Sequence, residues 1–268
     1  MKLLLLLLLL APSLLGLQQQ FLSEPSSLTV TAGQRVVLPC SVQHKEGLLQ
    51  WTKDGFGLGV GRELPGYPSY SMAGQDPVRD YTLVLEEVGL AEDATYQCQV
   101  GAGELSVAIR SSPAVLTVLV PPGQPRLTKG SGVEGGRTTL EVAAEEGEEV
   151  VVTCVSEGGR PAAELTWRDE LGDLVMADTD TSTHKMGDKS WKTVSVIRMR
   201  LGFEDRGRSL VCEASSHLSP SPLEAVARLL LSYGPRVVLQ PGGEGREGGD
   251  MTVHCGVHAF PPPSSLAW

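Results

Sequence analysis

One cysteine–tryptophan pattern occurs three times in this chain, and it constrains the fold more than any other feature. The three pairs are Cys40 with Trp51, Cys154 with Trp167, and Cys255 with Trp268, the last residue of the sequence. In the first two copies a second cysteine follows, Cys98 or Cys212, each 58 residues after the first. Alternating apolar residues lead into each first cysteine, which predicts that it lies on the buried face of a strand.

This pattern is typical of an immunoglobulin sandwich, in which a disulfide joins two sheets and packs against a tryptophan. We therefore predict an all-β chain of tandem immunoglobulin-like sandwiches of the I or V type, two complete and a third truncated. The predicted disulfides are Cys40–Cys98 and Cys154–Cys212. Cys255 is expected to be unpaired, because its partner would lie beyond Trp268.

The repeat divides the chain into four expected segments. These are a signal peptide at 1–19, a first domain at 20–119, a second at 120–232 and the start of a third at 233–268. Lys2 precedes an apolar run that is shorter than the roughly 20 residues of a membrane-spanning helix. Secretion agrees with the disulfides, because the cytosol keeps thiols reduced. Pro121 and Pro122 restrict the backbone, so a short, stiff joint is expected between the complete domains.

Strand positions in the first domain follow from the alternation. Strand C is predicted at 49–52 with Trp51 inward, and a C′ strand at 56–59. Tyr96 stands two residues before Cys98, where the ring is buried and its hydroxyl bonds upstream backbone. Leu210 takes the equivalent position in the second domain, which places that hydrogen bond there in doubt but not the fold.

Composition excludes several classes of function. The net charge of −10 argues against a nucleic-acid partner. The five histidines are scattered, no nucleophile motif occurs, and every cysteine belongs to the disulfide pattern, so we expect no catalysis and no cofactor. His254, Cys255 and His258 are close enough to suggest a metal site, but Cys255 aligns with the disulfide cysteines. The acidic run at 141–149 is interpreted as a solvated edge, because it enters a strand and not a calcium loop.

The candidate partner-binding surface is the C, C′, F, G sheet of the first domain. Its expected outward residues are uncharged and both donate and accept hydrogen bonds: Gln50, Thr52, Gln97 and Gln99. In the C′ strand, Phe56 and Leu58 alternate with glycines. If they point outward, they add an apolar strip, which suits a protein interface; the alternative is that they fold under the sheet as core. The sequence contains no asparagine and so has no N-linked sugar to cover this face.

Several segments together resemble the irregular-chiasm/roughest and kin-of-irre (Kirre, Neph) adhesion receptors. They are LQWTKDGFGLG at 49–59, LPGY at 64–67, YSM at 70–72, YQCQVG at 96–101, LTVLVPP at 116–122 and GRPAAELTW at 159–167. The resemblance covers essentially the whole mature chain. It implies a single-pass cell-surface protein with five immunoglobulin domains, whose first domain binds itself or a nephrin-type receptor on a facing cell.

We therefore expect the ectodomain of an adhesion receptor that reaches the cell membrane through the secretory pathway. Its membrane anchor would lie outside this sequence, and its partner would be a protein, in homophilic or heterophilic binding. The alternative is a secreted or immune-type binding protein built from the same domains. A transmembrane helix and cytoplasmic tail in the rest of the transcript would favour the receptor.

Overall fold

The computed structural model describes residues 18–74, 79–175, 177–187, 189–243, 245 and 247–267. These residues form twenty strands and one 3-10 turn at Phe203–Asp205. No helix within these ranges is long and apolar enough to cross a membrane. The chain divides into two compact units, with the boundary between Val120 and Pro121.

The first unit contains eleven short strands. They are β1 (Gln20–Ser23), β2 (Leu28–Thr31), β3 (Val36–Leu38), β4 (Ser41–Gln43), β5 (Leu49–Lys53), β6 (Phe56–Gly59), β7 (Tyr70–Met72), β8 (Leu83–Leu85), β9 (Ala94–Val100), β10 (Ile109–Arg110) and β11 (Ala114–Leu119). One sheet has the order β2–β11–β9–β5–β6, with β10 also paired to β9, and a second has the order β3–β8–β7. β1 pairs with β4, while β2 runs parallel to β11.

The core of the first unit follows the predicted pattern. Cys40 and Cys98 form a disulfide beside the fully buried Trp51. The Trp51 indole donates a hydrogen bond from Nε1 to the carbonyl oxygen of Tyr81, at 2.7 Å. Tyr96 is also fully buried, and its hydroxyl donates to the carbonyl oxygen of Glu92 at 3.0 Å. The ring therefore adds apolar burial while its one polar atom stays hydrogen-bonded.

The second unit has longer and more regular strands. They are β12 (Arg126–Lys129), β13 (Thr139–Glu145), β14 (Glu149–Gly159), β15 (Glu164–Asp169), β16 (Asp178–Met186), β17 (Ser190–Arg200), β18 (Ser209–Ser215), β19 (Leu223–Pro241) and β20 (Val253–Phe260). One sheet has the order β12–β14–β17–β16, and the other has the order β13–β19–β18–β15. The disulfide Cys154–Cys212 joins the two sheets, and Trp167 is buried beside it.

Strand β19 changes partners at the expected end of the second domain. Up to Ser232 it pairs with β13, and from Tyr233 onward it pairs with β20. Where the start of a third domain was expected, at 233–268, the described residues form this one hairpin. Cys255 lies in it as a free, exposed cysteine.

Candidate protein-binding face of the first domain

The candidate site is the outer surface of strands β6, β5, β9 and β10, which we call the binding face. The register places Gln50 opposite Gln99 and Thr52 opposite Gln97. Directly opposite residues in an antiparallel pair share one face of the sheet. The structure therefore brings the four predicted polar residues together in two adjacent cross-strand rows.

Gln50 lies near the centre of this face with its amide unpaired. Its side chain is half-buried and extends across Gly57 of the neighbouring strand, where a β-carbon would lie 1.9 Å from Nε2 of Gln50. Among the described residues, no hydrogen bond joins the Gln50 amide to another group. Its oxygen and its nitrogen are both available to a ligand.

The other two glutamines are held more firmly. Nε2 of Gln97 donates to the carbonyl oxygen of Ser111 at 3.0 Å, and Nε2 of Gln99 donates to Oγ1 of Thr52 at 3.4 Å. These bonds orient the two amides, so that their carbonyl oxygens remain as acceptors. The face thus combines one unpaired amide with two oriented ones.

Thr52 and Leu58 differ from their expected exposure. Thr52 does belong to the outer face, but it is only 4% exposed, because its short side chain lies among longer neighbours and its hydroxyl bonds the carbonyl oxygen of Gln97. Leu58 is 6% exposed and lies in the core, which is the alternative in which it folds under the sheet. Residues two apart share a side of a strand, so Phe56 points the same way. Phe56 is nevertheless 77% exposed, since it stands next to the turn at Gly55.

A groove beside the glutamines contains residues that the sequence interpretation missed. It has a volume of about 480 Å³, and Gln50, Gln99, Leu48, Val60 and Ile109 are among its lining residues. Leu48 and Val60 are largely exposed. No periodic signal in the sequence pointed to them, because Leu48 precedes β5 and Val60 follows β6, where the alternation of strand residues does not apply. The exposed apolar residues are therefore those of this groove together with Phe56, while Leu58 is buried.

The loop at 101–107 adjoins the groove and is fixed by a residue that the sequence interpretation assigned to the signal peptide. Nε2 of Gln19 donates to the carbonyl oxygens of Gly101 and Val107, at 2.8 and 2.5 Å. Its Oε1 accepts a hydrogen bond from the backbone N–H of Glu46 at 3.3 Å. Gln19 is only 4% exposed, so it packs as part of the first domain.

The titratable groups near β5 have a structural role. Burial raises the pKa of the Tyr70 hydroxyl to about 12, and it also raises the pKa of Tyr96. Both hydroxyls therefore stay protonated at neutral pH and act as hydrogen-bond partners, with Lys53 Nζ donating to Tyr70 at 2.9 Å. No group of three or more His, Cys, Asp or Glu side chains within the described part of the chain is arranged to hold a metal ion.

Comparison with family models divides the chain as the fold does. The model of the immunoglobulin I-set domain matches residues 19–110, and the model of the CD80-like C2-set immunoglobulin domain matches residues 132–222. The first match begins at the buried Gln19. Both matches lie within the two complete sandwiches.

Individual relatives are more specific. The chain is 40% identical to the irregular chiasm C-roughest protein of Drosophila melanogaster, over 85% of this chain and 30% of that protein. It is 34% identical to nephrin of Mus musculus, over 92% of this chain and 20% of nephrin. The chain thus spans about a third or less of the length of these two relatives.

A solved structure supports the same relationship. The crystal structure of domains 1 and 2 of Rst matches 80% of this chain with a TM-score of 0.69 and 39% identity, and 99% of that structure is covered. Sequence identity and fold agree over both complete domains. The chain therefore belongs to the irregular-chiasm/roughest, Kirre and nephrin family of immunoglobulin-domain proteins.

Proposed function

We propose that this chain is the recognition region of a cell-surface adhesion receptor and that its first domain binds in trans. The partner is the first domain of a second copy, or a nephrin-type receptor on another cell. The family relationship supports adhesion as the general role. The uncharged centre of the binding face, free of N-linked sugar, supports the choice of surface.

The unpaired amide of Gln50 is the observation that carries the proposal. A pair of identical domains is isologous, so the same patch meets itself around a two-fold axis. Gln50 lies opposite Gln99 near the middle of the sheet. In such a pair, its amide nitrogen and oxygen would meet the glutamines of the partner and complete their hydrogen bonds.

Charge sets the expected strength of a self-pair. Residues 20–118 contain 6 Lys and Arg against 11 Asp and Glu, so two copies repel each other at long range. The two rows on β5 and β9 contain no acidic residue, and the charged residue beside them is Arg110, opposite Gln99 on β10. Self-association is therefore modest, and a less acidic partner binds more tightly.

The test replaces Gln50 with Glu, which would bury two like charges near the two-fold axis. We expect a loss of several kcal/mol of association energy with little change in the free energy of unfolding, because the side chain makes no hydrogen bond within the described part of the chain. Sedimentation velocity and cell aggregation measure the association. Gln34→Glu is the matched control: Gln34 is exposed in a turn, and its Oε1 accepts from the N–H of Thr31, which a carboxylate also does. Unchanged association of folded Gln50→Glu would exclude this face.

A further inference from the structure

The second domain has an edge strand that nothing covers among the described residues. Strand β16 lies at the end of the order β12–β14–β17–β16 and pairs on one side only, with β17. All nine of its residues are exposed. The outer edge of such a strand presents unpaired backbone N–H and C=O groups.

This edge lacks most of the features that usually protect one. Its pairing with β17 runs without a bulge from Asp178 to Met186, and the segment contains no proline. It is nine residues long, whereas the other outer strands of the two sheets of this domain, β12, β13 and β15, have four, seven and six residues. Long regular edges generally pair with another strand or carry charges that prevent pairing.

The charges of β16 are arranged by sign along the strand. Asp178 and Asp180 occupy its first half, and His184 and Lys185 occupy its second half. A parallel copy would place the aspartates opposite one another. An antiparallel copy places the acidic half of each strand against the basic half of the other, so the sequence is self-complementary in that direction alone.

We propose that β16 pairs in antiparallel fashion with β16 of a second copy of this chain. A two-fold axis perpendicular to the sheet keeps each face of one copy continuous with the same face of the other. Residues opposite each other must then point to the same face, so their sequence numbers differ by an even number. Centring the pair on Ser182 uses all nine residues. Ser182 then meets its own copy, and Asp180 meets His184 twice.

The two faces of β16 are compatible with this register. Thr181 lies opposite Ser195 and faces the core side, where the two hydroxyls are 2.8 Å apart. Asp180, Ser182 and His184 therefore share the outer face of the sheet. Pairing would extend the four-stranded sheet into a continuous sheet of eight strands from two copies.

Cysteine cross-linking tests the register directly. In a Cys255→Ser background, which removes the free thiol, Ser182→Cys should form a disulfide-linked dimer, because opposite Cα atoms in antiparallel strands lie about 4.5–5.5 Å apart. Met186→Cys is the control on the same exposed face. Its own copy would lie about 26 Å away along the strand, so it should not cross-link.

A charge exchange tests the complementarity. In a pair of His184→Asp chains, the introduced aspartate of each chain would lie opposite Asp180 of the other. In a pair of Asp180→Lys chains, the introduced lysine of each chain would lie opposite His184 of the other. Each variant alone should therefore associate about tenfold more weakly or worse. An equimolar mixture should restore association, since the lysine introduced in one variant would meet the aspartate introduced in the other. Melting temperatures of both variants check that the second domain remains folded.

These outcomes separate the edge from the binding face of the first domain. Association through the first domain would promote cross-linking of Ser182→Cys and Met186→Cys equally, so it cannot make one variant cross-link more than the other. Equal cross-linking at positions 182 and 186 would overturn the proposal. A mixture of the two charge variants that associates no better than either one alone would overturn it as well.

Discussion

The two complete domains present the same sheet to solvent with opposite chemistry. In each, the tryptophan pairs with the second cysteine, so the positions around it correspond. Where the first domain has Gln50 opposite Gln99, the second has Thr166 opposite Glu213. Arg168 stands beside them, and its Nε donates to Oε2 of Glu213 at 2.7 Å.

This difference fits the proposal that the first domain provides a docking surface and the second an ordinary exterior. The charged pair of the second domain satisfies itself, and a partner that covered it would have to desolvate both charges. The amide of Gln50 carries no charge and has no partner among the described residues, so covering it costs little free energy if the binding partner offers hydrogen bonds. We therefore place the proposed recognition surface at this unpaired amide.

The largest expected effect tests whether the two cores are equivalent. Removing either disulfide, as Cys40→Ala/Cys98→Ala or as Cys154→Ala/Cys212→Ala, should lower the free energy of unfolding of that domain by about 4 kcal/mol, because both loops span 58 residues. Denaturant unfolding that follows each domain separately measures the losses. A loss in one domain less than half that in the other would show that native packing, and not loop length, sets the contribution.

The next effect concerns the loop beside the binding face. Gln19→Ala removes the amide that bonds Gly101, Val107 and Glu46, and we expect a loss of about 2 kcal/mol and faster hydrogen exchange at 101–107. Gln18→Ala is the control, since Gln18 makes one exposed hydrogen bond to the same loop. Its effect should stay below about 0.5 kcal/mol. Equal exchange in the two variants would contradict the role of Gln19.

Much of this comparison could be predicted from the sequence. The cysteine spacing and the alternation gave the sandwiches, both disulfides and the outward glutamines, because a period of two fixes which face a strand residue takes. Alternation does not report how large the neighbours are. It therefore placed Thr52 on the correct face but missed its burial.

The rest depended on contacts between residues far apart in the chain. Gln19 looks like the end of a signal peptide until its amide reaches the loop near Val107. Leu48 and Val60 lie just outside their strands, where no period applies, yet the fold brings them to one groove. The partner exchange of β19 at Tyr233 is likewise a matter of tertiary pairing, although the sequence repeat placed a boundary there.

A pair of glycines distinguishes recognition from folding within the first domain. Gly57→Ala introduces a β-carbon where the Gln50 amide lies, so that flexible side chain must move. We expect the association of the first domain to weaken several-fold, while the free energy of unfolding changes by less than about 1 kcal/mol. Gly55→Ala should do the reverse, because Gly55 has a φ of 84° and open space around it. It should lose about 1 kcal/mol of stability and keep its association.

The smallest expected effect concerns the corresponding sheet face of the second domain, where Arg168 pairs with Glu213. Arg168→Met keeps most of the side-chain length and removes the ion pair with Glu213, whose side chain is 19% exposed against 35% for Arg168. The pair is partly solvated, so we expect a loss of at most about 1 kcal/mol in the free energy of unfolding and no change in association. Chemical denaturation and sedimentation velocity measure the two quantities. If Arg168→Met weakened association as Gln50→Glu is expected to, recognition would extend to both domains, and the contrast between an unpaired amide and a satisfied ion pair would not mark the binding surface.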